Sequence, residues 1–288
     1  MKFIVNGRFA LYVENILLKK NYYKDYKAGK TTQEQFCTAM LNDTSLAETA
    51  GFGGEYNIRR IAKTPPDEKL PAEHIFGFLA ENKIITYTGN LYEGFGEYRK
   101  YILENYDHGE FVTYVFPEDE LLMYAAAQIS QPKRVFMAGS YYGYLAVWAM
   151  QTVKKTGGTA ILSDIDAEVC ALAEKNFKKL GFENNSEIYC HDAAALLSAQ
   201  TEPVDMLILD ATGFWDDPRP NFRGKRIYGA LLKAARHLLK KGSVIYIHNM
   251  ETEPENSEMR ELTDGLTELG ARGAGYETFN GLGLFVVC

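Results

Sequence analysis

Two hydrophobic periods divide the chain. Up to Phe116 the apolar positions recur at helical spacing. Phe9, Tyr12, Ile16 and Leu17 do so between Gly7 and Lys20, and Phe36, Met40 and Leu41 follow Thr31-Thr-Gln-Glu34, which reads as a capping box. The breaker segment Lys63-Thr-Pro-Pro-Asp-Glu-Lys-Leu-Pro71 precedes a further helix predicted from near Ala72. From Pro117 onward, short apolar runs alternate with amphipathic stretches. Glu118 to Ile129 is predicted as a helix whose leading acids suit the positive end of the helix dipole. Val135 to Ala138 is a strand. Ala167 to Leu180 is a helix with Val169, Leu172, Ala173, Phe177 and Leu180 on one face, stopped by Gly181.

The same alternation continues to the end of the chain. Glu187 to Cys190 is a short strand, and Leu231, Ala234, Ala235 and Leu238 form the next apolar helix face. Lys241-Gly242 turns into a strand from Ser243 to His248, and a helix carrying Met259, Leu262, Leu266 and Leu269 ends at Gly270. Tyr276 to Phe279 and Leu284 to Val287 are predicted to pair as a hairpin around Asn280-Gly281. Strand–helix alternation with right-handed crossovers implies an α/β fold with a doubly wound, mostly parallel sheet that ends in an antiparallel hairpin. Two regions are expected: a mainly helical region over residues 1–116 that covers a substrate pocket, and a cofactor-binding catalytic domain over residues 117–288.

Candidate chemistry concentrates where the apolar runs break. Arg134-Val-Phe-Met-Ala-Gly139-Ser-Tyr-Tyr-Gly143-Tyr144 passes from strand to a glycine-spaced turn, where the backbone can approach a ligand and the next helix can point its amides at it. Thr159-Ala-Ile-Leu-Ser-Asp164 delivers an acid about 20 residues later, the place of a ribose-binding carboxylate. Asp192, in His-Asp-Ala after the next strand, is placed to accept from an adenine amino group, with Ala193 beside it. Val204-Asp-Met-Leu-Ile-Leu-Asp210 ends on a third carboxylate. Each signal alone also describes an ordinary strand end; their common register favours a pocket for an adenosine-containing ligand.

Composition narrows the class. The chain has 288 residues, of which 46% are hydrophobic and 24% charged, enough for a sizeable core. A formal charge of −7 without a dense basic stripe argues against a nucleic-acid partner, and no run approaches membrane-spanning length. Cys37, Cys170, Cys190 and Cys288 are scattered, without metal-ligand spacing, as expected of reduced thiols in a cytoplasmic protein. The nineteen tyrosines and sixteen phenylalanines suit either an aromatic core or a site for a flat or cationic ligand. Tyr141, Tyr142, Tyr144, Trp215 and Tyr228 fall in or near the expected pocket loops.

These segments resemble the class I S-adenosylmethionine-dependent methyltransferases, and more narrowly the small-molecule O-methyltransferases of the catechol and caffeoyl-CoA type. Gly139-Ser-Tyr-Tyr-Gly143-Tyr144 is similar to that group's G-x-x-x-G-Y turn, and Asp164-Ile-Asp-Ala-Glu to its ribose-binding segment. Asn176-Phe-Lys-Lys-Leu-Gly181-Phe, the run to Asp210, and Gly242-Ser-Val-Ile-Tyr-Ile-His248-Asn249 match later elements. The resemblance implies a sheet order of 3-2-1-4-5-7-6. It also implies S-adenosylmethionine as cofactor, with Gly139, Ser140, Tyr142, Gly143, Tyr144, Asp164, Ile165, Asp192, Ala193 and Asp210 as binding residues.

Departures from the family pattern bear on the chemistry. Met137 stands where class I enzymes usually carry an acid, and the lysine expected shortly after Asp210 is missing. Asp210 and Asn249 match two metal-ligating positions of the metal-dependent members, but His248 replaces the remaining aspartate. A carboxylate, an imidazole and an amide suit a hard cation poorly, so no divalent metal is expected. Asp210, His248 and Asn249 are then the catalytic candidates, with His248 either a general base or a strand-end histidine bonded to a backbone carbonyl.

The expected activity is methyl transfer to an oxygen or nitrogen of a small molecule. Attack at another sulfonium carbon, with release of methylthioadenosine, is the alternative, and a non-catalytic cofactor-binding module is a further one. The first turn lacks the G-x-G-x-x-G spacing of nicotinamide enzymes. A homodimer is compatible with the sequence, which does not specify an oligomeric state.

Overall fold

Strands that read as unbroken apolar runs are those covered on both faces, as parallel sheets require. The computed structural model describes residues 7–87, 90–250 and 258–288. Helices α1 (Phe9–Leu17), α2 (Asn21–Lys27), α3 (Gln33–Leu41), α4 (Thr44–Ala47), α5 (Glu55–Ala62), α6 (Leu70–Glu81) and α7 (Phe95–Asn105) precede the sheet. Then follow α8 (Pro117–Ser130), β1 (Arg134–Ala138), α9 (Val147–Lys155), β2 (Thr159–Asp164), α10 (Ala167–Lys179), β3 (Ser186–Cys190) and α11 (Ala193–Ala199). The chain closes with β4 (Val204–Leu209), α12 (Ile227–Ala235), β5 (Leu239–His248), α13 (Arg260–Glu268), β6 (Ala271–Tyr276) and β7 (Leu282–Val287).

The sheet order is β3-β2-β1-β4-β5-β7-β6, as the family resemblance implied. The first five strands pair in parallel, whereas β7 runs antiparallel to both β5 and β6. Register places the site. Ala138 lies beside both Ser163 and Leu209, and Leu209 beside Ile247, so Gly139, Asp164, Asp210 and His248 emerge together at one edge. Strand order reverses between β1 and β4, the topological switch point at which open α/β sheets bind ligands.

Alternating side chains feed two cores. Val135, Met137, Leu162, Met206, Ile208 and Tyr246 pack on the face covered by α6, α7, α8 and α9. Phe136, Ala138, Ile161, Leu207, Leu209 and Ile245 pack on the opposite face with residues of α12 and α13. Helices α1 to α5 build a third cluster around Phe36, Met40 and Ile61, which also takes in Phe116 and Phe279. Phe116 stacks on Phe279 at 4.6 Å between ring centroids, joining the helical region to the loop between β6 and β7.

Some boundaries differ from the sequence expectation. The capping box is Thr32 with Gln35, one residue later than Thr31 with Glu34; the Gln35 amide donates to Thr32 Oγ1 at 3.2 Å and Thr32 N to Gln35 Oε1 at 2.8 Å. The helix after β1 begins at Val147 rather than near Tyr144, because residues 141–146 are spent on turns. The terminal hairpin has its first strand at Ala271–Tyr276, not at Tyr276 to Phe279, and residues 277–281 connect it to β7. Tertiary contacts explain that shift: Phe279 is taken up by Phe116, and Asn280 Nδ2 donates to Tyr114 O at 2.8 Å and Asp119 Oδ2 at 2.7 Å.

Gly139 sets how closely β1 and β4 can turn together. Its φ is +76°, and a Cβ there would come within 2.4 Å of Ala211 Cα. Gly139→Ala is therefore expected to cost about 3 kcal/mol, combining ~1–2 kcal/mol for a left-handed alanine with ~1–3 kcal/mol of overpacking. Urea unfolding measures this, and a loss under about 1 kcal/mol would mean that the turn relaxes freely.

Candidate active site

A cavity of about 430 Å³ opens at the carboxyl edge of the parallel strands. Its floor is the turn after β1, where Gly139 N and Ser140 N both donate to Ser163 O at 3.0 Å. Asp164 ties the first two loops together. Its Oδ2 accepts from Tyr141 N at 2.7 Å, and its Oδ1 accepts from Ile165 N at 2.8 Å and Asp166 N at 3.2 Å. Three backbone donors thus fix a carboxylate on the cavity wall, and one of about four lone-pair sites remains. Ile165 next to it is 55% exposed and also lines the cavity.

Asp192 occupies the end of β3 and caps α11, accepting from Ala195 N at 2.8 Å. Its other oxygen lies 4.0 Å from Arg219, whose guanidinium sits 3.7 Å over the Phe222 ring. Ala193, Ala194 and Phe222 give this end of the cavity an apolar lining. The helical region closes the opposite side through Val112, Thr113, Tyr114 and Val115, a contribution that no motif in the sequence signals.

The turn tyrosines divide by orientation. Tyr141 has φ +49°, a left-handed conformation uncommon outside glycine, and lines the cavity. Tyr142 and Gly143, expected to bind cofactor, instead face the interior. Tyr142 is fully buried; its hydroxyl pairs with His108 Nδ1 at 2.8 Å, and its ring stacks on Phe111. Gly143 faces Phe177, whose ring a Cβ would approach to 2.6 Å. The left-handed step at Tyr141 carries the following residue away from the ligand side. Tyr144 reaches the cavity wall, with its hydroxyl donating inward to Glu120 Oε1 at 2.9 Å. Trp215 lies outside the cavity wall with 71% of its surface exposed, whereas Phe214 lines it; Tyr228 is fully buried and donates to His248 O at 2.7 Å.

His248 stands between two carboxylates. Nδ1 is 2.8 Å from Asp210 Oδ1, and Nε2 is 3.2 Å from Asp119 Oδ2. Asp119 comes from the first turn of α8 and also accepts from Phe116 N and Asn280 Nδ2, both at 2.7 Å. Burial alone would lower the imidazole's pKa, but Asp210 and Asp119 outweigh it and raise the group to about 10. The general-base expectation is thereby corrected: at neutral pH both ring nitrogens carry protons directed at carboxylates, so neither has a lone pair for an acceptor. The carbonyl-bonded alternative is corrected too, since the ring's partners are carboxylates.

Asn249 has φ +55° and donates through Nδ2 to Asn280 Oδ1 at 3.2 Å. Its Oδ1 accepts from Lys225 at 3.2 Å, and the same ammonium donates to Ala211 O at 3.0 Å and Tyr228 Oη at 2.9 Å. A lysine therefore reaches this edge from a later loop, although none follows Asp210 directly in sequence. Among the described residues no group of three or more His, Cys, Asp or Glu side chains is arranged to hold a metal ion.

A family model described as a methyltransferase domain matches residues 136–250. No curated protein sequence matches the chain. Among solved structures, cofactor-bound Rv0187 from MTB is similar with a TM-score of 0.50 and 17% identity, over 66% of this chain and 89% of that one. The O-methyltransferase from Bacillus cereus in complex with SAH gives a TM-score of 0.48 and 15% identity, over 74% of this chain and 96% of that one. The O-methyltransferase TomG from Streptomyces achromogenes gives 0.47 and 15%, over 75% and 96%. At such identities the structural likeness speaks to fold alone. The family match, set on a sheet of this order, makes residues 136–250 a methyltransferase domain with the class I fold.

Proposed function

We propose that the protein transfers a methyl group from S-adenosylmethionine to an oxygen or nitrogen of a small molecule. The observation that carries this reading is Asp164, fixed by three backbone amides on the wall of a cavity that the β1 turn floors, within a methyltransferase domain. The residues fit the cofactor. About 430 Å³ is the size of an ordinary small-ligand site, and the free lone-pair site on Asp164 suits a ribose hydroxyl. Ile165, Ala193, Ala194 and Phe222 offer apolar surface to a flat base beside Asp192. An isoleucine 55% exposed in this position gains if a ligand covers it.

Bound there, S-adenosylmethionine would supply an electrophilic methyl carbon: the C–S bonding pair would leave with sulfur, the acceptor's lone pair would make the new bond, and the acceptor's proton would pass to Asp210 Oδ2. The chain's own residues position and hold charge. Asp210 keeps Oδ1 on His248, with 17% of its side chain exposed, so Oδ2 is available to accept the acceptor's O–H or N–H and orient its lone pair. His248, a buried cation, fixes Asp210, and Asp119 fixes His248; both are positioning residues. Val112 to Val115 exclude water from above, the cover role we assign to the N-terminal region. A small molecule fits a cavity of this size and the −7 charge better than a nucleic acid does. No helix among the described residues is long and apolar enough to cross a membrane, and the four free cysteines suit a cytoplasmic location.

Three outcomes are expected. In a mass-resolved assay with S-adenosylmethionine and a library of hydroxy and amino compounds, S-adenosylhomocysteine should form only when an acceptor is present. Methylthioadenosine as the product would overturn methyl transfer. Asp164→Ala should weaken S-adenosylhomocysteine binding by about 1.5–3 kcal/mol in calorimetry, and unchanged affinity would remove Asp164 from the site.

The third concerns pH. Folding raises the imidazole of His248 from 6.5 to about 10, so between these values the folded protein binds more protons than the unfolded chain. This contribution to stability is fully present below pH 6.5 and is lost as pH rises through about 10. His248→Gln should cost about 3–5 kcal/mol at neutral pH by leaving the buried Asp119 and the part-buried Asp210 carboxylates without their cation. It should also flatten the decline in unfolding free energy between neutral and alkaline pH. An equal decline in the variant would show that His248 is not the group responsible.

A further inference from the structure

A second cavity, of about 420 Å³, adjoins the first, and Thr212 and Asn249 line both. It lies between α5 and the connection from β6 to β7. Among the described residues its lining brings together Arg60, Lys63 and Lys225, with the carboxylate of Glu277 beside them, in a protein whose formal charge is −7.

Arg60 is anchored rather than left loose. Its Nε and Nη2 donate to Phe279 O at 3.3 and 3.1 Å, and the guanidinium carbon lies 4.3 Å from the Phe279 ring centroid and 5.8 Å from that of Tyr56. The remaining nitrogen, Nη1, makes no bond among the described residues. Lys63 Nζ stands 3.1 Å from Glu277 Oε1 with a third of its side chain exposed. Lys225 donates to Ala211, Tyr228 and Asn249 and so fixes Asn249 at the junction. Tyr56, 70% exposed, supplies an aromatic flank.

We propose that this cavity is the acceptor subsite and that the acceptor is an anion. A carboxylate or phosphate is held by Arg60 and Lys63, while the acceptor's hydroxyl or amine passes Asn249 to meet Asp210. A planar guanidinium already stacked and anchored loses little freedom on binding such a group. The reacting end of this assignment rests on the methyl-transfer reading; the anion preference does not.

The test is ligand-observed NMR and calorimetry on the full chain with matched probes: 4-hydroxybenzoate, phenyl phosphate and the uncharged methyl 4-hydroxybenzoate. At least one anionic probe should bind ~10-fold or more tightly than the ester, and Arg60→Gln and Lys63→Gln should each erase most of that preference. Whichever of carboxylate and phosphate binds better identifies the group. Anionic probes that bind no better than the ester, or a preference intact in both variants, would overturn the proposal. S-adenosylhomocysteine titrated into the same samples should bind all three proteins alike. Its failure to bind the unmodified protein would undo the cofactor reading while leaving the anion result to stand or fall separately.

Discussion

A buried imidazolium with a carboxylate on either side is the interaction on which the active edge depends. His248 ends β5, Asp210 follows β4, and Asp119 begins α8, so three separate elements meet through one charge. Without a cation between them, these two carboxylates would repel one another across the ring. With the cation present, Asp210 remains an acceptor aimed at the cavity. The ring that sequence reasoning offered as a base thus becomes the support for a neighbouring oxygen.

A second buried cluster performs the same service for the N-terminal helices. Glu120 accepts from Arg8 at 2.9 Å, from Arg99 at 2.8 Å and from the Tyr144 hydroxyl at 2.9 Å. Arg8 precedes α1 and Arg99 lies in α7, so the N-terminal helices are fastened to the turn after β1 by one carboxylate. Removing one member of such a network strands the others in a dry interior, which makes the junction intolerant of piecemeal change. Asp119 and Glu120 are consecutive, so a single helical turn anchors both the charge chain through His248 and the attachment of the N-terminal helices.

Much of the sheet was legible because strands buried on both faces must be written as apolar runs. Once those runs are placed, Gly139, Asp164, Asp210, His248 and Asn249 fall at one edge by register alone. Orientation within the turn was not legible: periodicity gives no sign that Tyr141 takes a left-handed conformation, and hence that Tyr142 faces inward. Asp119 was hidden for another reason. An acid in the first turn of a helix already has a sufficient explanation in the helix dipole, so nothing in its local sequence points to His248. Lys225 and Asn280 act through contacts that only the folded chain brings together, and the β6–β7 connection yielded its expected hairpin to those same contacts.

The absence of a side chain at Gly139 has a mechanical meaning. Because the β1 turn rests directly on the backbone of Ala211, the part of the edge that would carry the sulfonium and the part that would carry Asp210 cannot slide past each other. The spacing between those two turns is then a property of the sheet itself, set when the protein folds. Any difference in what this edge accommodates would then fall to the loops and helices around that fixed gauge.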